Sequence, residues 1–253
     1  MSDPISALRA SHDRLAGLVA GLSPEQVTAP AYPSEWSIAQ VLSHLGSGAE
    51  IMALVFDAGV AGTPAPGREA NPPIWDRWNA KEPAVQVADG IHSDRALLER
   101  FEALTDDQRA RLRFVSFVGE VDAEELARLR LGEHAVHTWD VDVALNPAAT
   151  IGPETVELIV DRVGGLARWA GKPIGRSLVV GITTTDPKRS FTLTLGDAAT
   201  IEPGAPDSAD GELVLPAEAF IRLVYGRLDA EHTPPLGVSG VDLDDLRRAF
   251  PGF

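Results

Sequence analysis

Apolar positions recur at helical spacing through most of the first 145 residues. Ile5, Leu8, Leu15, Leu18 and Val19 predict a helix over 3–21 that stops at Gly21. A better marked helix starts at Ser37, which with Gln40 three residues on forms a capping box, while Trp36 and Val41 take the two positions of a hydrophobic staple. Its stripe of Ile38, Val41, Leu42, Leu45, Met52, Val55 and Phe56 runs to Gly59, and His44 sits beside that stripe. The proline- and glycine-rich stretch 61–73 reads as a surface loop. Pro72 and Pro73 can open a short helix carrying Trp75 and Trp78, and Leu97, Leu98, Phe101 and Leu104 line the inner face of a longer helix over 84–104. Arg113–Val118 is too short and too aromatic for a helix and predicts an extended linker. The last long helix of this half begins at Asp122, with Glu125 returning the cap bond and Val121 and Leu126 as staple, and it ends near Leu145, before Asn146-Pro147.

From about residue 151 the period changes. A helix over 153–170 is followed by β-branched, alternating segments at 177–185 and 190–195, then by Thr200-Ile201-Glu202 and 212–215. Pro216 opens a helix over 217–228, and 242–250 forms a short final one. The expected architecture is α+β: a helical bundle over 1–148, then a smaller α/β domain over 149–253 with an antiparallel sheet.

Composition removes whole classes of chemistry from this picture. The chain has no cysteine, so disulfides, thiolate metal sites and protein thiol nucleophiles are excluded, and any sulfur must come from a ligand. A net charge of −15 repels phosphate backbones and anionic membrane surfaces, which argues against nucleic acid and membrane partners. Met1-Ser2-Asp3-Pro4-Ile5 has neither a basic n-region nor an apolar h-region, and a cytoplasmic protein is expected. The preference for arginine over lysine, with abundant alanine, points to a GC-rich bacterial genome. There is no P-loop, Rossmann glycine fingerprint or Gly-x-Ser-x-Gly elbow.

What remains is carboxylate and imidazole. Glu133 and His137 stand four apart on the last bundle helix and project from one face, a turn apart, so both can reach one ion. They share a strip with Leu126, Arg130, Val141 and Ala144, where a lone carboxylate is costly unless paired or metal-bound. His44, on a facing bundle helix, is the candidate third ligand; three protein ligands leave one zinc position free for chemistry. Asp140, three after His137, can hold the other ring nitrogen of that histidine. His134, about 100° round the helix from Glu133, is expected at the surface or behind the ligands, and His12, His92 and His232 have no partner at metal spacing. The tryptophans read as core and staple residues. Arg222 and Arg227 read as a solvated or salt-bridged helix face, or as anchors for an acidic substrate.

Three segments together resemble the mycothiol-dependent maleylpyruvate isomerase family, a branch of the DinB-like four-helix-bundle metalloenzymes. They are Glu35-Trp-Ser-Ile-Ala-Gln-Val-Leu-Ser-His-Leu-Gly46, Glu133-His-Ala-Val-His-Thr-Trp-Asp140 and Phe220-Ile-Arg-Leu-Val-Tyr-Gly-Arg227. The resemblance spans nearly the whole chain. It implies zinc, or another divalent metal, held by His44, Glu133 and His137, with a small thiol, commonly mycothiol, completing the site. It further implies a catalytic arginine in the second domain, for which Arg222 and Arg227 are the candidates, with Trp36 and Asp140 as candidate cofactor contacts. The expected function is thiol-dependent isomerisation or S-transfer on a small electrophile by a monomer or homodimer. A zinc-water hydrolase, with Asp140 as base, and a non-enzymatic small-molecule binder on the same scaffold are the alternatives.

Overall fold

In the computed structural model the capping chemistry sets the helices. Ser37 Oγ accepts the Gln40 amide at 3.2 Å and Gln40 Oε1 accepts the Ser37 amide at 2.8 Å. The helix so started, α3 (Ile38–Ala61), runs past Gly59 and stops at Gly62, whose φ of 65° is the left-handed turn that glycine takes without strain. The residues described are 3–32, 35–116 and 118–252. Before α3 come α1 (Pro4–Val19), capped by Asp3, and the short α2 (Pro24–Val27). After it come α4 (Asn71–Asn79), α5 (Pro83–Glu102) and the short α6 (Asp106–Arg111).

The segment expected to be a linker is a hairpin, β1 (Phe114–Ser116) with β2 (Gly119–Val121); Phe117, within that expectation, lies outside the described residues. Phe114 turns inward and stacks on Phe56 with ring centroids 5.2 Å apart, and the burial of that ring holds the hairpin to the bundle. Last comes α7 (Ala123–Leu145), where Asp122 accepts the Glu125 amide at 2.8 Å and the Glu125 carboxylate pairs with Arg128.

The chain divides into two compact units, Met1–Ala149 and Thr150–Phe253. In the first, α1, α3, α5 and α7 form a four-helix bundle in which α3 packs on α5 and α7, and α1 on α5 and α7. Its core includes Leu15, Val19, Ile38, Val41, Leu42, Leu45 and Val141. By length and composition α3 could cross a membrane, with a mean hydropathy of 1.3 over its most apolar stretch. Here Ile38, Val41, Leu42, Leu45 and Phe56 face the bundle, while Leu54 and Val60 are exposed, and Ser43, His44, Ser47, Glu50 and Asp57 interrupt the apolar run.

Helices α3 and α5 approach closely at Gly46 and Gly90: a Cβ on Gly90 would lie 2.6 Å from the Leu42 carbonyl oxygen, and one on Gly46 would lie 2.9 Å from Gly90 Cα. Because the obstacle is backbone, Gly90→Ala is expected to force the helices apart and destabilise the fold by about 1–3 kcal/mol, measured as a lower denaturation midpoint. An unchanged midpoint would show that the helices separate without cost.

In the second unit, the helix expected over 153–170 is broken. A 3-10 turn at Val160–Arg162 separates α8 (Pro153–Ile159) from α9 (Val163–Ala170), so that α8 packs on the later helix α10 (Ala217–Val224) while α9 lies along β5 (Ala199–Pro203). With β3 (Leu178–Thr185), β4 (Arg189–Leu195), β6 (Gly211–Pro216) and β7 (Gly237–Ser239), the sheet order is β5-β4-β3-β6-β7. All neighbours are antiparallel except β3 and β6, which run parallel with Ile182 opposite Leu213. Alternation in sequence marks the buried face and carries no strand direction, so the parallel pair was not predictable from it. Val180, Ile182, Phe191, Leu193, Ile201 and Leu213 form the inner layer, where Phe191 meets Phe220 of α10 at 5.2 Å. The chain closes with α11 (Leu243–Ala249).

Candidate metal centre

Near the N-terminal end of α3 and the middle of α7, three side chains converge. His44 Nε2 lies 3.7 Å from Glu133 Oε2, and His137 Nε2 lies 3.8 Å from the same oxygen. One ligand-capable atom from each of the three falls within 4.8 Å of the others. Tetrahedral zinc, with bonds of about 2.0–2.1 Å, separates its donors by about 3.3 Å, so on binding an ion Glu133 closes on each histidine by a few tenths of an ångström. The rings of His44 and His137 meet edge to face at 4.6 Å. The His44 and Glu133 side chains keep 39% and 45% of their surface while His137 keeps 11%, which leaves one side of the group open to solvent.

Protonation suits a cation. Burial alone would raise the Glu133 carboxyl, but the neighbouring His44, His137 and Arg130 outweigh it and bring it down to about 2. Burial pushes His44 below its ordinary value despite the pull of Glu133, so the ring is neutral near pH 7 and its lone pair is available. His137 Nδ1 is 2.8 Å from Asp140 Oδ2, and Asp140 is fully buried. In the tautomer whose Nδ1–H donates to Asp140, the Nε2 lone pair is turned toward Glu133 and His44.

The approach to α3 completes the surroundings. The Tyr32 amide donates to the Asp140 carbonyl at 3.0 Å, the Tyr32 ring meets Trp139 edge-on at 5.2 Å, and the Ala31 amide donates to the Trp36 carbonyl at 2.8 Å. So pinned to α7, this segment sets Trp36 over the group: its ring is 5.2 Å from His44 and stacks on His137 at 6.3 Å and 18°. Trp36 is exposed and borders the histidines, where the staple pattern placed it with the core. Trp78 and Trp139 are core residues, and Trp75 is exposed.

Comparisons with known proteins give the family and the fold. Residues 8–142 match the family described as the mycothiol maleylpyruvate isomerase N-terminal domain. The chain belongs to this family, whose members are enzymes. A crystal structure of the mycothiol-dependent maleylpyruvate isomerase is similar to this chain with a TM-score of 0.69 at 13% identity, covering 93% of this chain and 91% of that one. A histidine-to-alanine mutant of that isomerase gives a TM-score of 0.67 at 13% identity, covering 89% and 88%. No curated protein matches by sequence. At this identity the two structures establish a common fold over both units.

The remaining expectations fare unevenly. His134 is not at the surface: it is fully buried, as is His12, and the two flank Asp94 at 2.9 and 2.7 Å. Of the two places expected for His134 it takes the one behind the ligands, because α7 is covered by α1 on one side and α3 on another. Asp94 could have been found in the sequence, since it precedes Leu97, Leu98 and Phe101 on the inward stripe of α5. Arg222 and Arg227 are buried within the second unit, not on a solvated helix face. Arg222 pairs with Glu218 and donates to the carbonyls of Arg227 and His232, and Arg227 donates to the Tyr225 carbonyl. Of the histidines read as lacking partners at metal spacing, His12 does have them, since one ligand-capable atom each of His12, Asp94 and His134 lies within 4.8 Å of the others, and His232 bonds Asp229 at 2.9 Å.

Proposed function

We propose that this protein is a mycothiol-dependent isomerase of small unsaturated acids in which His44, Glu133 and His137 hold a zinc ion. The observation that carries the reading is the convergence of those three side chains, with an ionised carboxylate, a neutral His44 and a His137 held by Asp140. Two neutral imidazoles and one carboxylate leave a dication with one net positive charge, which favours an anionic fourth ligand. Bound zinc would stabilise the thiolate form of a thiol whose free pKa is near 8.5. A chain without cysteine thereby carries out sulfur chemistry with a borrowed thiol.

The chain's own groups have separable tasks. Glu133 and His44 offer lone pairs without proton competition at neutral pH, Asp140 keeps the His137 ring oriented, and the Trp36 face gives a flat apolar wall beside the open side. Isomerisation needs the thiolate sulfur to add to a conjugated C=C bond to give an enolate, rotation about the resulting single bond, and expulsion of the thiolate as the C=C bond re-forms. S-transfer shares the addition and omits the elimination, so the product keeps the sulfur. Hydrolysis is less well supported, because Asp140, the candidate base, is fully buried and engaged by His137. A catalytic assignment for Arg222 or Arg227 rests on the family resemblance alone.

Zinc-loaded protein is expected to convert maleylpyruvate to its trans isomer only when mycothiol is present, with recovery of free thiol, as read by absorbance and thiol titration. Sulfur retained in the product would select S-transfer, and absence of stoichiometric zinc would defeat the reading. Asp140→Ala is expected to weaken zinc binding by about 10–100-fold, because the His137 ring loses its orienting acceptor. Competition with a chelating dye measures this, and parent-like affinity would remove Asp140 from the site.

A further inference from the structure

Behind the ligand face lies a second polar group, buried completely in the bundle. Asp94 of α5 accepts from Arg130 of α7 at 2.7 Å through Oδ1, while its Oδ2 lies 2.7 Å from His12 Nδ1 of α1 and 2.9 Å from His134 Nε2 of α7. His134 Nδ1 in turn faces the hydroxyls of Ser11 at 2.8 Å and Thr138 at 3.2 Å. The Arg130 guanidinium also donates to the Leu45 carbonyl of α3 at 2.9 Å. Gly48 on α3 leaves it room: a Cβ there would stand 3.2 Å from Arg130 Nη1. Asp94 thus takes hydrogen bonds from His12 on one oxygen and from the Arg130 guanidinium on the other, while His134 Nε2 lies close by without completing a hydrogen bond. A cation among them would lie beside a charge that already neutralises Asp94.

We propose that the Asp94–Arg130 pair is a positioning device for the metal centre, locking α7 against α3 and α5 so that Glu133 and His137 meet His44. The inference rests on the metal reading above. Leu45 directly follows His44, and Arg130 precedes Glu133 by three residues, so the Arg130–Leu45 bond ties the two ligand-bearing helices together at the level of the ligands. A rotation of α7 by about 20° would move a side-chain tip about 5 Å from the axis by nearly 2 Å. That is roughly ten times the tolerance of a metal–ligand distance. Apolar packing resists such rotation weakly, since one set of aliphatic contacts replaces another. A buried charged pair resists it strongly, because every alternative leaves an ion without its partner. Stability alone is a poor reason for such a pair, since well-packed apolar residues of similar volume often serve as well or better.

The test compares three variants with the parent by zinc affinity in a chelator competition, by the visible d–d spectrum after cobalt substitution, and by thermal unfolding of the metal-free protein. Arg130→Met is expected to weaken zinc binding about tenfold or more and to alter the cobalt spectrum. Arg130→Lys keeps the charge and the fold but not the reach to both Asp94 and Leu45, and is expected to show the same changes to a smaller degree. His12→Phe cuts a bond to Asp94 from a helix that carries no ligand; it is expected to lower the unfolding temperature while leaving zinc affinity and the cobalt spectrum at parent values. The proposal is overturned if Arg130→Lys and any folded Arg130→Met protein match the parent in zinc affinity and spectrum whatever their stability, or if His12→Phe changes both as much as they do. A parent that binds no zinc overturns the metal reading and this inference together, and is distinguished from failure of the inference alone by the parent's own titration.

Discussion

His44→Ala is expected to abolish stoichiometric zinc binding and to reduce thiol-dependent turnover by about a thousandfold or more, with little change in the unfolding temperature of the metal-free protein. Two ligands remain after the change, too few to hold zinc in a closed set of protein donors. The loss in rate follows from the several kcal/mol that a metal supplies to charge stabilisation, at 1.36 kcal/mol per factor of ten. The fold should tolerate the change because the His44 side chain keeps 39% of its surface and alanine is the best helix former. His137→Ala removes the same metal but adds a cost, since the fully buried Asp140 loses the Nδ1 donor. Losing one buried hydrogen bond of this kind costs about 0.5–1.5 kcal/mol. Elemental analysis and denaturation of both variants therefore separate ligand from support. Equimolar zinc retained in His44→Ala would sink the metal assignment.

Why His44 could be singled out in the sequence, and His12 could not, comes down to what periodicity encodes. The Ser37/Gln40 box fixed where α3 starts, and four-residue spacing put Glu133 and His137 on one face; the facing position of His44 then followed from bundle geometry. The first two of those inferences use contacts within one helix. The Asp94 group draws one residue each from α1 and α5 and two from α7, and no local pattern pairs Asp94 with His12 over 82 residues of chain. What the sequence did contain was a charged residue on each of two inward stripes, Asp94 and Arg130, which could have been matched to each other by charge. The boxes Ser23/Gln26 and Thr105/Gln108 likewise start α2 and α6, elements too short to show periodicity. In the second unit, alternation located most of the strands but not their directions, because side chains alternate identically in parallel and antiparallel ladders.

Asp94→Ala is expected to be the most destabilising single change in the bundle, by about 3–5 kcal/mol, since it leaves Arg130 as a buried cation without its partner. Both side chains are almost fully enclosed, at 3% and 4% exposure, and water cannot replace the lost carboxylate without opening the core. The His12 ring loses its hydrogen-bond partner at the same time. The acid limb of stability carries an independent signature of this carboxylate. Burial alone would raise its pKa, but His134, Arg130 and His12 hold it well below the usual range. A depressed folded-state value means that the contribution is fully present above the unfolded pKa, near 3.9, and is lost as pH falls from there through the folded value. The parent should thus lose stability steeply below about pH 4. Asp94→Asn, which preserves shape and cannot ionise, should start less stable at neutral pH and show a shallower acid limb. Urea midpoints collected from pH 7 down to pH 2 measure both, and parallel curves for the two proteins would show that Asp94 is not the carboxylate whose ionisation supports the fold.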